Sequence, residues 1–216
     1  MRKALVLAGS RGIGKGIVDR LSLIDDMEIV YTSSDQLDTS NIDSVDRFIS
    51  KHPSTDIIVL NTGGPLAQDF HDITEDDCKK YHNQLFYSFL RILQNIKIND
   101  GGYIFLISSF NIKEPNEKLM LSNAYRVAFT SVLKCLSKSL AKRNVTTINI
   151  APGPIHTDRI TNLVSDLDQF ASKLPMGRLG DTSEIGNFVK SIVENNIKYL
   201  TGVTINFDGG HSNSLF

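Results

Sequence analysis

Ala4 to Ala8 is a wholly apolar run that passes directly into Gly9-Ser10-Arg11-Gly12-Ile13-Gly14, after which apolar residues recur at Ile13, Ile17, Leu21 and Ile24. An unbroken apolar run suits a central parallel strand covered on both faces, and the helical spacing after it makes an amphipathic helix that packs on one of those faces. The glycines let the chain turn tightly between the two and let a pyrophosphate approach the helix N-terminus. Strand, glycine turn and helix in this order restrict the chain to an α/β fold built on a parallel sheet, provided that the alternation continues.

It does continue. Met27 to Thr32, Asp56 to Asn61, Tyr103 to Ile107, Thr146 to Ala151 and a last segment within Thr201 to Gly210 read as strands, with Gly101-Gly102 turning the chain into the fourth of these six. Between them lie a helix with the apolar face Ile42, Val45, Phe48 and Ile49, and a long helix striped by Cys78, Tyr81, Leu85, Phe89, Ile92 and Ile96 and opened by the capping pair Thr74 and Asp77. A further helix runs from Leu121 to about Arg143, and a final one, capped by Thr182 or Ser183, carries Ile185, Phe188, Val189 and Ile192. Ser33 to Gln36 lead almost at once into Leu37 to Asn41 and the next helix. A crossover between parallel strands needs roughly a dozen residues. A helix, with or without the strand it would lead to, is therefore missing after the second strand. The expected fold is one doubly wound α/β domain over residues 1–216, shortened at that edge.

The formal net charge of −1 gives no reason to expect nucleic acid or an anionic membrane as partner. No apolar stretch approaches the ~18 residues of a bilayer span, and the run after Met1-Arg2-Lys3 stops at a glycine turn as a strand does, not as a signal peptide. The two cysteines, Cys78 and Cys135, lie far apart in helical patterns and read as buried thiols of a cytoplasmic protein. The histidines, His52, His71, His82, His156 and His211, have no metal-like spacing, so no metal is expected. Lys134, Lys138 and Lys142 read as a solvated helix face.

Four motifs in this order resemble the short-chain dehydrogenase/reductase family over essentially the whole chain: the glycine turn, Asn61-Thr62-Gly63-Gly64, Ile107-Ser108-Ser109, and Pro152-Gly153-x-Ile155-x-Thr157. Pro175-Met176-Gly177-Arg178-Leu179-Gly180 and Asp208-Gly209-Gly210 resemble the family's tail. Matching Gly12 and Gly14 to the family's last two turn glycines puts Ala8 at the first, with Gly9 one place late. The resemblance implies a Rossmann-type sheet, NAD or NADP as hydride carrier, a small-molecule substrate, and a homodimer or homotetramer. It implies that Gly9, Arg11, Gly12, Ile13 and Gly14 hold the pyrophosphate and adjoining ribose. Asp38 would meet adenine, Asn61 and Gly63 would line the cofactor, and Pro152-Gly153 would carry Ile155 and Thr157 to the nicotinamide. No acid ends the second strand, and Ser33, Ser34 and Arg11 stand where a 2′-phosphate would lie, which favours NADP(H) over NAD(H).

The family's catalytic pattern is a serine followed by Tyr-x-x-x-Lys. If Tyr125 were that tyrosine, Phe129 would stand at the lysine position, where a ring can neither bind a ribose nor supply charge. If the family's spacing from Ser109 and to Pro152 is kept, Ser122 falls at the tyrosine position and Arg126 at the lysine position. The chain thus resembles a divergent subgroup lacking the usual pair. An arginine four residues on lies on the same helix face and keeps the charge and the ribose contact, while its pKa above about 12 removes it from a proton relay. Ser109 would bind the substrate oxygen, and Ser122, Tyr125 or an ordered water would deliver the proton. Tyr125 has a packing role as its alternative. Asn83 resembles the family's relay asparagine, with a structural role as its alternative. The leading expectation is an NAD(P)(H)-dependent oxidoreductase interconverting a carbonyl and an alcohol through a modified site. A non-catalytic cofactor-binding sensor or scaffold, and a protein that no longer binds cofactor, are the alternatives. Specificity would reside in Asp158 to Leu174 and the loop after Ser109.

Overall fold

The computed structural model describes residues 1–215. Its strands are β1 (Arg2–Val6), β2 (Met27–Tyr31), β3 (Ser54–Leu60), β4 (Lys97–Ile107), β5 (Thr146–Pro152) and β6 (Val203–Phe207). Its helices are α1 (Gly12–Leu21), α2 (Ile42–Lys51), α3 (Glu75–His82), α4 (Ser88–Asn95), α5 (Met120–Leu140), α6 (Asp158–Leu163), α7 (Leu167–Ser172) and α8 (Thr182–Glu194). The six strands form one parallel sheet in the order β2-β1-β3-β4-β5-β6. The winding reverses between β1 and β3, which flank the crevice where ligands of doubly wound sheets bind.

The apolar run near the N-terminus is explained by the two layers. Ala4 and Val6 point into one core with Ile17 and Leu21 of α1 and Ile185 and Val189 of α8. Leu5 and Leu7 point the other way, into a core with Phe48 of α2, Phe89 of α4 and Phe129 of α5. Alternate strand residues face opposite sides, so a strand covered twice must be apolar throughout. The sheet ends at β2, whose Tyr31 is half in solvent. Residues 33–41 form turns, and α2 carries the chain back across β1 to β3, which is the shortened edge read from Ser33 to Asn41.

Several local expectations change. Gly101-Gly102 lies inside β4, which already begins at Lys97, and the register between β3 and β4 slips between Thr55 and Ile57 to accommodate the pair. The long helix is interrupted by a π-turn, Asn83–Tyr87, between α3 and α4. Cys135 is exposed and Cys78 only half-buried, so neither is the core thiol expected. The cap of α8 is Asp181, one residue before Thr182; its side chain accepts from Ser183 N while Glu184 closes a capping box.

Glu184 also accepts from Arg178 at 2.9 and 2.8 Å and from Asp181 N at 2.7 Å. Arg178, with that backbone amide, holds the Glu184 carboxyl at about 2, against an ordinary 4.5. A depressed carboxylate contributes stability above its unfolded value and loses it as pH falls through the folded one. Glu184→Gln should therefore be modestly less stable than wild type near neutrality, both side chains being partly solvated. The difference should close between pH 4.5 and about 2, a window that urea midpoints at successive pH values will read.

Candidate functional site

A cavity of about 530 Å³ opens at the carboxyl ends of β1, β3, β4 and β5. Its walls are the strand ends Asn61 to Gly64, Ile107 to Ser109 and Pro152 to Ile155, with Ser122 and Arg126 of α5 at the back. Ile160 and Leu163 of α6, Val164, and Phe170 of α7 form an apolar roof. Neither α6 nor α7 buries a residue fully, as a lid half-docked over a ligand space requires.

The two serines share one arrangement. Ser109 Oγ accepts from Asn111 N at 3.2 Å, and Ser122 Oγ accepts from Arg126 Nε at 3.2 Å. Each hydroxyl thus has a lone pair occupied by an N–H donor and its own proton free to donate into the cavity. Arg126 is anchored by the carbonyls of Ile107 at 2.9 Å and Thr62 at 3.5 Å. Burial, reinforced by the charge of Arg159, pulls its pKa to about 10, below the value above about 12 expected from residue type alone.

Tyr125 does not line the cavity. Its hydroxyl donates to Cys78 O at 3.1 Å, and its ring meets His82 edge-on, because residue 125 faces α3 when residues 122 and 126 face the strand ends. Phe129 is fully buried between Phe86 and Phe89. Asn83, at the head of the π-turn, donates to Ser40 O at 3.4 Å and is likewise outside the cavity. Its neighbour Gln84 instead reaches the wall, donating to Gly63 O at 3.1 Å and Thr62 Oγ1 at 3.4 Å. The extra residue in that turn shifts which amide faces inward.

Of the residues expected to meet a cofactor, Ile13, Asn61, Gly63, Pro152, Gly153, Ile155 and Thr157 line the cavity. Gly9, Arg11, Gly12, Gly14, Ser33 and Asp38 lie outside its enclosed part. Ser33 N donates to Gln36, and Asp38 accepts from Ser40 N and Oγ in a turn leading to α2. At the glycine turn, a Cβ on Gly14 would stand 2.1 Å from Ala8 O and 2.9 Å from Asn61 Nδ2. Ala8, at the family's first glycine position, has φ 48°, so the turn keeps the left-handed geometry with alanine in it. The N-terminus of α1 has no side-chain cap and no acid in its first turn. Its amides are therefore available to an anion, which fits a pyrophosphate. Across this opening Arg11 and Asp158 stand 4.0 Å apart, both largely in solvent.

Arg159 and His211 line the cavity without having been singled out from the sequence. Arg159 donates to Gly64 O at 3.1 Å and Pro65 O at 3.0 Å, tying α6 to the loop after β3. His211 packs edge-on against Phe110. The segment from Asp158 to Leu174 was recognisable as a seat of specificity, but nothing in its spacing distinguished one charged residue from another.

Comparison with known proteins agrees with this fold. The sequence profile described as Enoyl-(Acyl carrier protein) reductase covers residues 33–212. The chain belongs to the short-chain dehydrogenase/reductase family. Similar proteins include 3-oxoacyl-[acyl-carrier-protein] reductase FabG of Buchnera aphidicola, 26% identical over 238 residues that span 96% of each chain. NADPH-dependent reductase BacG of Bacillus subtilis is 26% identical over 260 residues, 99% of each chain. A short-chain dehydrogenase of Burkholderia cenocepacia, solved in complex with NADP, shares the fold with a TM-score of 0.87 at 23% identity over 97% of both chains. Both sequence alignments are longer than the 216 residues of this chain, so these relatives carry segments that it lacks.

Proposed function

We propose that this single-domain chain is a cytoplasmic, NADP(H)-dependent reductase that interconverts a carbonyl and an alcohol with Ser122 and Arg126 in place of the family's tyrosine and lysine. The observation that carries the reading is the pair of serines whose lone pairs are occupied and whose protons are free, backed by a cation, at one wall of the cavity. The open N-terminus of α1 would receive the pyrophosphate, and Arg11 and Ser33 would receive the 2′-phosphate. Asp38 would meet adenine, Ile155 and Thr157 the nicotinamide amide, and Arg126 the adjoining ribose. The names of the relatives that bind or depend on NADPH support that choice of carrier.

When bound, the nicotinamide supplies or accepts the hydride at the substrate carbon. The chain's own residues handle the oxygen. Ser109 and Ser122 donate to it and so stabilise the negative charge that develops there. Ser122 gives up its proton to the oxygen and is reprotonated from solvent through an ordered water, while the charge of Arg126 stabilises the serine oxygen in between. Tyr125 stays with the Cys78 carbonyl and packs α5 against α3. The faces of α4 and α5 away from the sheet would join copies of the chain as a homodimer or homotetramer.

Fluorescence titration should show NADPH binding at least about tenfold tighter than NADH, the value of one charge-assisted contact to a 2′-phosphate. A panel of ketones and aldehydes should then oxidise bound NADPH. Tight NADPH binding with no turnover across that panel, together with an Arg126 variant that binds as wild type does, would leave a cofactor-binding scaffold in place of a reductase. Failure to bind either nucleotide would remove both readings.

A further inference from the structure

The cavity contains positive charge and no negative charge. Among the described residues its lining includes Lys118, Arg126 and Arg159 and not one aspartate or glutamate. Lys118 is neutralised from outside by Asp69. Arg126 and Arg159 are not: among the described residues neither forms an ion pair, and every partner of Arg159 is a backbone carbonyl. Asp158, the acid beside Arg159 on α6, stands 4.0 Å from Arg11. Burial holds the pKa of both arginines below the usual guanidinium range, and the charge of Arg159 adds to the shift at Arg126, so an anion placed against them relieves both.

We infer that the substrate is an anionic carbonyl compound, a carboxylate on an apolar body, and that Arg159 binds the carboxylate. This rests on the reductase reading for the word substrate, and on the charge of the cavity for the word anionic. Two roles are available to the fork of Arg159. The cofactor's pyrophosphate has its own donors at the N-terminus of α1, whereas Arg159 sits over Gly64-Pro65, beyond Asn61 and Gly63, next to the lid. A guanidinium offers a carboxylate two parallel N–H donors, and exchanging two backbone carbonyls for it gives the stronger, charge-assisted pair. The roof residues Leu163, Val164 and Phe170 then cover the apolar remainder. Closing α6 and α7 would be coupled to the bound anion through Arg159, because that side chain is on the lid itself.

The test separates substrate from cofactor. Calorimetry on the NADP-loaded protein measures a series of acids from acetate to 4-phenylbutanoate, each against its neutral amide. The larger acids should bind about tenfold or more tighter than their amides, the scale of a charge-assisted contact. Arg159→Gln should abolish the preference and leave NADPH affinity unchanged. In turnover, 4-phenyl-2-oxobutanoate should exceed its methyl ester in kcat/KM, and Arg159→Gln should bring the two together. Equal binding of acids and amides, or no binding by any acid, overturns the inference. So does an Arg159→Gln variant that loses NADPH affinity in step with acid affinity, which would give the arginine to the cofactor's phosphates. Ester reduced as well as acid also overturns it while leaving the reductase reading standing. Acid preference in binding without turnover of any ketone supports the anion site and removes the reductase reading.

Discussion

Arg126→Ala should lower kcat for carbonyl reduction by about a hundredfold to a thousandfold, the usual contribution of a group that stabilises a developing oxyanion. Three losses combine in that variant. The Nε–H that occupies the Ser122 lone pair disappears, so the hydroxyl is no longer aimed into the cavity. The charge behind the developing oxyanion goes with it. The carbonyls of Ile107 and Thr62 lose their donor and must be rehydrated. A purely structural role would produce the last of these alone, and the pH profile distinguishes the cases. Reduction needs Arg126 protonated, so wild-type kcat should fall as pH rises through about 10. Arg126→Lys keeps a charge and loses the fork; it should retain part of the activity, and its alkaline limb should move to lower pH because burial favours a neutral amine. An alanine variant with the wild-type rate and the wild-type alkaline limb would remove Arg126 from the catalytic site.

How the site was legible follows from where each residue's constraint lies. Ser122 and Arg126 came from spacing, because strand ends and helix starts of a doubly wound sheet are held at fixed distances along the chain, and both line the cavity. Tyr125 was an open candidate because type and spacing cannot say where a phenol donates; its partner, the Cys78 carbonyl, is 47 residues away on another helix. Asn83 bonds the Ser40 carbonyl at the start of the π-turn, as its structural alternative expected, and the amide that reaches Gly63 belongs to its neighbour Gln84. Gly101-Gly102 was read as a turn because glycines usually end strands, whereas here they allow β4 to pass the Asp56 carbonyl, which a Cβ on Gly102 would approach to 2.5 Å. Arg159 was invisible for another reason. Its proposed role depends on the absence, among the described residues, of any carboxylate lining a space that exists only after folding.

The glycines of α1 and α8 carry a second large expected effect, on stability. A Cβ on Gly186 would stand 2.1 Å from Gly16 O and 2.8 Å from Arg20 Cγ, and one on Gly16 would stand 2.4 Å from Thr182 O. The helices therefore meet backbone to backbone. A carbonyl oxygen cannot rotate away as a side chain can, so a methyl group at 186 must push α8 off α1. That loosens Ile185 and Val189 from Ile17 and Leu21. Alanine is intrinsically the better helix residue by about 1 kcal/mol, so the sign is not set by propensity. Overpacking in a rigid contact costs about 1–3 kcal/mol and more for larger side chains, and it should win. Gly186→Ala should lower the melting temperature by about 2–4 °C for each kcal/mol lost in a chain of this size, and Gly186→Leu by more. Because α1 begins at the glycine turn, NADPH affinity should fall together with the melting temperature. Ser191→Ala, on the exposed face of the same helix, should change neither. A Gly186→Ala protein as stable as wild type would mean that the two helices do not approach as closely as their glycines allow.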